Sequence, residues 1–124
     1  MYQLHCTKKL LDRVKPELTA GGESTTRLGN WYATALMWRP QVALLVNERT
    51  LIPVLMPLAP AATLAQRFPQ HLAHVLAGHG LAASFIEAEM AQMKTVAYAK
   101  TANRSVSGVM NQFVRLADGY PSSA

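Results

Sequence analysis

The chain contains few residues of several types, and each shortage excludes or disfavours some classes of protein. It holds one cysteine, Cys6, among 124 residues, which excludes an intramolecular disulfide and favours a reducing compartment. No apolar run approaches the roughly 20 residues of a membrane-spanning helix, and the amino-terminal residues lack the order of a signal peptide. We therefore expect a cytoplasmic protein without a membrane segment, in which Cys6 is a buried residue of the first strand.

Charged and aromatic residues are also sparse, at 15% and 7%, whereas half of the residues are apolar. This balance is typical of a globular domain and too apolar for a disordered chain. A chain of this length fits one domain that buries about two thirds of its unfolded surface. We predict a single α+β domain over residues 1–117 and a flexible tail over residues 118–124, where glycine, proline and serine accumulate.

The net charge of +5 is distributed unevenly along the chain. Residues 1–15 contain four cations and one acid, a surplus of +3, and residues 94–115 contain four cations and no acid, a surplus of +4. The remaining residues sum to −2. The two end segments would form one positive face if the fold brings them together, and such a face attracts nucleic acid or acidic proteins. The cations concerned are Lys8, Lys9, Arg13, Lys15, Lys94, Lys100, Arg104 and Arg115.

The middle of the chain reads as a run of strands joined by short turns. After a first strand and a short helix over residues 1–14, three strand-like segments follow within residues 31–56. Short connections between strands favour an antiparallel meander. Pro53 has no amide hydrogen, so the third segment is expected at an edge or with that position facing away from its neighbour.

Helical patterns dominate the remainder of the chain. Two apolar stripes separated by Gly78-His79-Gly80 predict a helical hairpin, and a strand over residues 94–100 precedes a C-terminal helix. We therefore predict an α+β fold with a mainly antiparallel sheet of four to five strands. The helical hairpin and the C-terminal helix are expected to pack on that sheet.

The junction between the last strand and the last helix concentrates polar and basic residues. We expect the helix to start between Asn103 and Ser105, because either side chain can cap its free amides. The positive end of the helix dipole would then lie beside Lys100 and Arg104, an arrangement that suits an anion. Capping alone would equally explain Asn103 and Ser105.

Gly108 lies inside the predicted C-terminal helix. Glycine there costs about 1 kcal/mol relative to alanine. A close neighbour, most simply a strand, would account for the residue, so we expect a tight approach at this position.

The polar residues offer no local catalytic or metal-binding pattern. His71 and His74 share a helical face, but no further ligand has the right spacing and His79 follows the helix end, so we predict a solvated face, no metal and no cofactor. Ser105 has no nearby base that would activate it. His5 would approach the junction if the first and last strands pair, which is a hypothesis at this stage.

Two segments resemble a known family. Residues 5–12, HCTKKLLD, and residues 100–111, KTANRSVSGVMN, resemble a family of small bacterial proteins classed as a domain of unknown function. The layout of the middle of the chain is similar as well, so the resemblance spans nearly the whole sequence. It implies a bacterial cytosolic protein and supplies no activity, cofactor or catalytic residue.

Two functional hypotheses follow. The first is a non-enzymatic module that uses a basic face to bind nucleic acid or an acidic protein partner. The second is an enzyme acting on a phosphate- or carboxylate-bearing small molecule, with His5 as its base. The candidate anion- or partner-binding residues are Lys8, Lys9, Lys100, Thr101, Asn103, Arg104, Ser105, Asn111 and His5.

Overall fold

The computed structural model describes residues 1–16, 18, 24–36, 39–101 and 104–119. This part of the chain contains five strands and four α-helices. The strands are β1 (Tyr2–Cys6), β2 (Trp31–Leu36), β3 (Val42–Asn47), β4 (Pro53–Pro57) and β5 (Val96–Lys100). The helices are α1 (Lys8–Val14), α2 (Leu64–Gly78), α3 (Ala83–Gln92) and α4 (Arg104–Gly119), and a short 3-10 turn over Ala61–Thr63 precedes α2.

The five strands form one mixed sheet in the order β4-β3-β2-β1-β5. The predicted α+β class and the meander β2-β3-β4 are confirmed, since both of its pairings are antiparallel. The prediction of a mainly antiparallel sheet is wrong, because β1 lies between β2 and β5 and is parallel to both. Long connections carrying α1, or the α2–α3 pair, return the chain to the same end of the sheet, and such crossovers produce parallel pairs.

Helices cover the sheet on both faces, so the central strand β2 is buried along its whole length. On one face, Trp31 and Phe68 of α2 meet edge to face, with ring centroids 5.0 Å apart, in a core that also includes Leu10 of α1. On the other face, Val106 and Met110 of α4 pack in a second cluster. Because side chains alternate along a strand, consecutive residues of β1 and β5 belong to different faces.

The C-terminal helix begins inside the predicted window and extends beyond its predicted end. It starts at Arg104 and continues to Gly119, so the first two residues of the predicted tail, 118–119, are helical. Residues 120–124 lie outside the described residues. Asn103, one of the two predicted capping residues, also lies outside them.

Prolines shape the free edge of the sheet at β4. The amide of Leu58 donates to Gln41 and that of Asn47 to Ile52, so in this antiparallel register positions 53, 55 and 57 direct their backbone groups away from β3. Pro53 and Pro57 have no amide hydrogen, and both predictions made for Pro53 are confirmed. An edge with so few outward donors resists the addition of another strand.

The tight approach expected at Gly108 is not found. Gly108 is exposed, and a methyl group added there would have no heavy atom of a neighbouring element within 4 Å. We therefore expect Gly108→Ala to raise the free energy of unfolding by ~0.5–1 kcal/mol, because alanine loses less backbone freedom in a helix. Urea denaturation measures this change.

Gly80→Ala is the matched control, since a methyl group at Gly80 also meets open space but its φ is +80°. Alanine is strained in that left-handed conformation, so this variant should lose stability. A Gly108→Ala protein that is no more stable than wild type would contradict the interpretation of an unconstrained helical glycine.

Candidate functional site

The carboxyl ends of β1 and β5 bring the two motif segments together. The hypothesis that the first and last strands pair is confirmed, with His5 opposite Ala99 and Cys6 opposite Lys100. The amide of Thr101 continues this pairing by donating to the carbonyl of Cys6 at 3.3 Å. Ligands of sheets with parallel strands commonly bind at the carboxyl ends of those strands. The structure therefore places residues 5–8 and 99–101 where such a site is expected.

A cavity of about 440 Å³ opens at this end of the sheet. Lys8, Lys100 and Thr101, three of the predicted candidates, contribute to its wall. Its volume is within the range of roughly 300–1,000 Å³ that small-ligand sites occupy. The cavity, called here the Lys8–Lys100 cavity, is lined by Cys6, Lys8, Leu11, Asp12, Lys100 and Thr101.

Three charged side chains of the cavity are exposed, namely Lys8, Asp12 and Lys100. Lys8 and Asp12 are one turn apart on α1, a spacing that places them on the same helical face, ~6 Å apart at their Cβ atoms. Within the described ranges, none of the three forms an ion pair or a side-chain hydrogen bond. All three are therefore available to a ligand.

Cys6 forms part of the wall but is not a nucleophile. Its side chain is 1% exposed, and its thiol lies 3.7 Å from the carbonyl oxygen of Leu4. Burial raises the pKa of the Cys6 thiol to about 12. The thiol is therefore protonated at neutral pH, and the reactive form, the thiolate, is absent. The prediction of a buried first-strand cysteine is confirmed.

His5 lies on the opposite face of the sheet from the cavity. Its ring stacks on Tyr32, with centroids 4.7 Å apart and an angle of 22° between the planes. Its Nδ1 is 3.0 Å from the carbonyl oxygen of Lys100 and must donate the hydrogen, since a carbonyl can only accept. Nε2 is buried and has no hydrogen-bond partner among the described residues. His5 is therefore not one of the residues that line the cavity.

Lys9 and Asn111, two further predicted candidates, do not line the cavity. Lys9 is exposed on α1, and Asn111 is exposed on α4, which packs on the far face of the sheet. Asn103 lies outside the described residues, as do the side chains of Arg104 and Ser105. Asp12 and Leu11 were missed as cavity residues. The spacing of Lys8 and Asp12 within one helical turn was a signal that could have suggested Asp12.

Among the described residues, the fold brings only part of the two basic end segments together. The cations of α1 and those of α4 belong to helices on opposite faces of the sheet, as the two separate apolar clusters require. Lys94 precedes β5 and is therefore at the other end of that strand from Lys100. What the fold does unite is Lys8 and Lys100.

Neither a metal site nor a membrane helix is found among the described residues. His71, His74 and His79 belong to no group of three or more potential metal ligands there. None of the described helices combines the length and the apolar character needed to cross a bilayer.

Comparison with known proteins identifies the family alone. No curated protein and no solved structure is significantly similar to the chain. A family model described as a domain of unknown function (DUF6933) matches residues 3–123. Because this match spans nearly the whole sequence, it confirms the resemblance to a small family of unknown function, and the chain belongs to the DUF6933 family.

Proposed function

We propose that this protein is a non-enzymatic binding module that holds an acidic protein partner by an anionic group in the Lys8–Lys100 cavity. One observation carries the proposal: two lysines from segments that are far apart in sequence line a single cavity at the carboxyl ends of adjacent parallel strands. Neither ammonium group is paired with another described residue. An anionic group in the cavity would gain from both charges.

The distribution of cations favours a protein partner over nucleic acid. A nucleic acid presents a continuous row of phosphates, and its binding depends on several cations that follow that row. Here the cations of α1 and α4 belong to helices on different faces, so one duplex or single strand would meet only part of them. A side-chain carboxylate needs a single pocket, and the exposed Arg13 of α1 and Lys15, which follows that helix, would attract an acidic partner toward it.

The chemistry of the cavity favours binding over catalysis. Its thiol is buried and protonated, and the imidazole of His5 is on the other face of the sheet. Lys8 and Lys100 can orient an anion, and among the described lining residues only Asp12 offers a carboxylate that could accept a proton. The start of α4, with Arg104 as its first residue, would add free amides to the same end of the sheet.

The test is a binding measurement with paired lysine variants. A fluorescent oligoglutamate peptide is titrated with wild type, with Lys8→Ala and Lys100→Ala, and with two controls that remove the same charge outside the cavity, Lys9→Ala and Lys94→Ala. We expect each cavity variant to weaken binding three- to tenfold, equivalent to ~1 kcal/mol, and each control to weaken it less than twofold.

Equal losses in all four variants would mean that the peptide responds to net charge, and would contradict a site at the cavity. The same titrations with single- and double-stranded RNA and DNA identify the class of partner. Tighter binding of a nucleic acid, with a steep loss of affinity as salt rises, would replace the acidic protein with nucleic acid as the partner.

A further inference from the structure

Asp12 is unexpected in a cavity that accepts only an anion. Its carboxylate lines the same cavity as the two lysines and is one helical turn from Lys8. Asp12 is exposed and forms no ion pair within the described part of the chain. Because Asp12 is negative, it repels the carboxylate or phosphate that the lysines of the same cavity attract. The carboxylate of Asp12 therefore weakens the binding of an anion unless the ligand also presents a positive charge.

We infer that the group bound in the Lys8–Lys100 cavity is zwitterionic, with its anionic end at the lysines and a cationic end at Asp12. This inference rests on the proposed function and names the chemistry that the same cavity selects. The hydroxyl of Thr101 can bond to either end of such a group, because it both donates and accepts. Leu11 and Cys6 supply apolar wall for the carbon chain that joins the two charges.

Zwitterionic groups of this kind have two sources. One is a free amino acid, whose amine and carboxylates are a few bonds apart. The other is a peptide segment of the partner in which an acidic residue is next to a basic one. In both cases a purely acidic ligand of similar size should bind less well, because it leaves Asp12 facing a like charge.

The test uses glutamate and glutarate, which differ only by the ammonium group of glutamate. Each is titrated into the isotopically labelled protein while the amide signals of Leu11 and Thr101 are followed by NMR. We expect wild type to bind glutamate at least threefold more tightly than glutarate, although glutarate carries more negative charge. In Asp12→Asn this order should reverse, because the favourable contact with the ammonium and the repulsion of the second carboxylate both disappear.

Three results would overturn the inference. The first is a preference for glutarate in wild type and the second is equal tightening of both ligands in Asp12→Asn; either would mean that Asp12 only repels anions. The third is that no probe perturbs the cavity. Asp12 is exposed, and a thermal melting curve that matches wild type shows that the variant is folded.

Two further measurements complete the design. Titrations with acetyl-Glu-Lys-amide and acetyl-Glu-Gln-amide test the peptide source. If wild type prefers the first peptide and Asp12→Asn loses that preference, the inference is supported with a peptide as the source.

Lys8→Gln and Lys100→Gln separate failure of this inference from failure of the proposed function. If they leave oligoglutamate binding unchanged, the proposed function fails; if they weaken it while Asp12→Asn gives the results above that overturn the inference, only the inference fails.

Discussion

Glu89→Ala is expected to lower the free energy of unfolding by ~3 kcal/mol or more, because it removes a buried carboxylate that holds a loop. Glu89 is 0% exposed at the end of α3. Its two carboxylate oxygens accept hydrogen bonds from the backbone amides of Arg27, at 2.5 Å, and Leu28, at 3.3 Å. Alanine leaves both amides without these acceptors and opens a void where the side chain was.

The melting temperature should fall by roughly 10 °C, given the usual relation between stability and melting temperature for a domain of this size. Glu87→Ala is the matched control, because Glu87 is an exposed acid on the same helix, and it should change stability by less than ~0.5 kcal/mol. Glu89→Gln should fall between the two, since its amide retains one acceptor oxygen. Equal effects of Glu87→Ala and Glu89→Ala would show that the hydrogen bonds to the loop contribute little.

Asn47→Leu should cause a loss of similar size, ~3 kcal/mol, because the side chain of Asn47 uses all of its hydrogen-bonding capacity while fully buried. Nδ2 donates to the carbonyls of Leu28, at 3.0 Å, and Asn30, at 3.5 Å. Oδ1 accepts from the amides of Arg49 and Thr50 and from the Thr50 hydroxyl, at 2.9–3.1 Å. Leucine has a similar volume but can replace none of these bonds.

Urea denaturation of Asn47→Leu measures the contribution of all hydrogen bonds of the Asn47 side chain to the free energy of unfolding. The same measurement on Thr50→Val gives the contribution of the Thr50 hydroxyl. Thr50→Val removes the hydroxyl that donates to Asn47 and accepts from the amide of Ile52 at 3.3 Å, and it leaves the bonds from the amides of Arg49 and Thr50 to Asn47 in place. Its expected cost is at most ~1 kcal/mol. A leucine variant that is as stable as wild type would mean that apolar packing compensates for the lost network, and would contradict a stabilising role of the Asn47 hydrogen bonds.

The sequence was sufficient to predict how strands pair when neighbours in the sheet are also close along the chain. Short turns between β2, β3 and β4 left the antiparallel meander as the simple arrangement, and the missing amide of Pro53 indicated an edge strand. The position of β1 between β2 and β5 could not be derived in the same way. Long connections do not specify the direction or register of the strands that they join, because many arrangements satisfy them.

Buried polar residues were the other gap. Glu89 and Asn47 belong to residue types that usually lie at the protein surface, and only the backbone groups that they bond explain why both are buried. Gly108 gave the opposite error: a helical glycine suggested close packing, yet the position is open. Hydrophobic periodicity identifies the apolar core but carries no information about which polar groups find partners there.

The candidate site was predictable in part for a physical reason. Lys100 is the last residue of β5, Thr101 follows it, and Lys8 is two residues beyond the end of β1. The pairing of the first and last strands was therefore enough to bring them together. The same pairing sends His5 to the far face, because side chains alternate along β1. Asp12 enters the cavity from α1, and its role depends on the angle at which that helix leaves the strand, which sequence patterns do not encode.

The most direct measurement of the proposed site is an NMR chemical-shift map of the wild-type protein with the oligoglutamate peptide. We predict that the largest shifts occur at Cys6, Leu11 and Thr101, and that at the same peptide concentration Lys100→Ala reduces them while Lys94→Ala leaves them in place. Shifts concentrated on α4 around Asn111 and Arg115, or spread evenly over every exposed lysine, would contradict binding in the Lys8–Lys100 cavity.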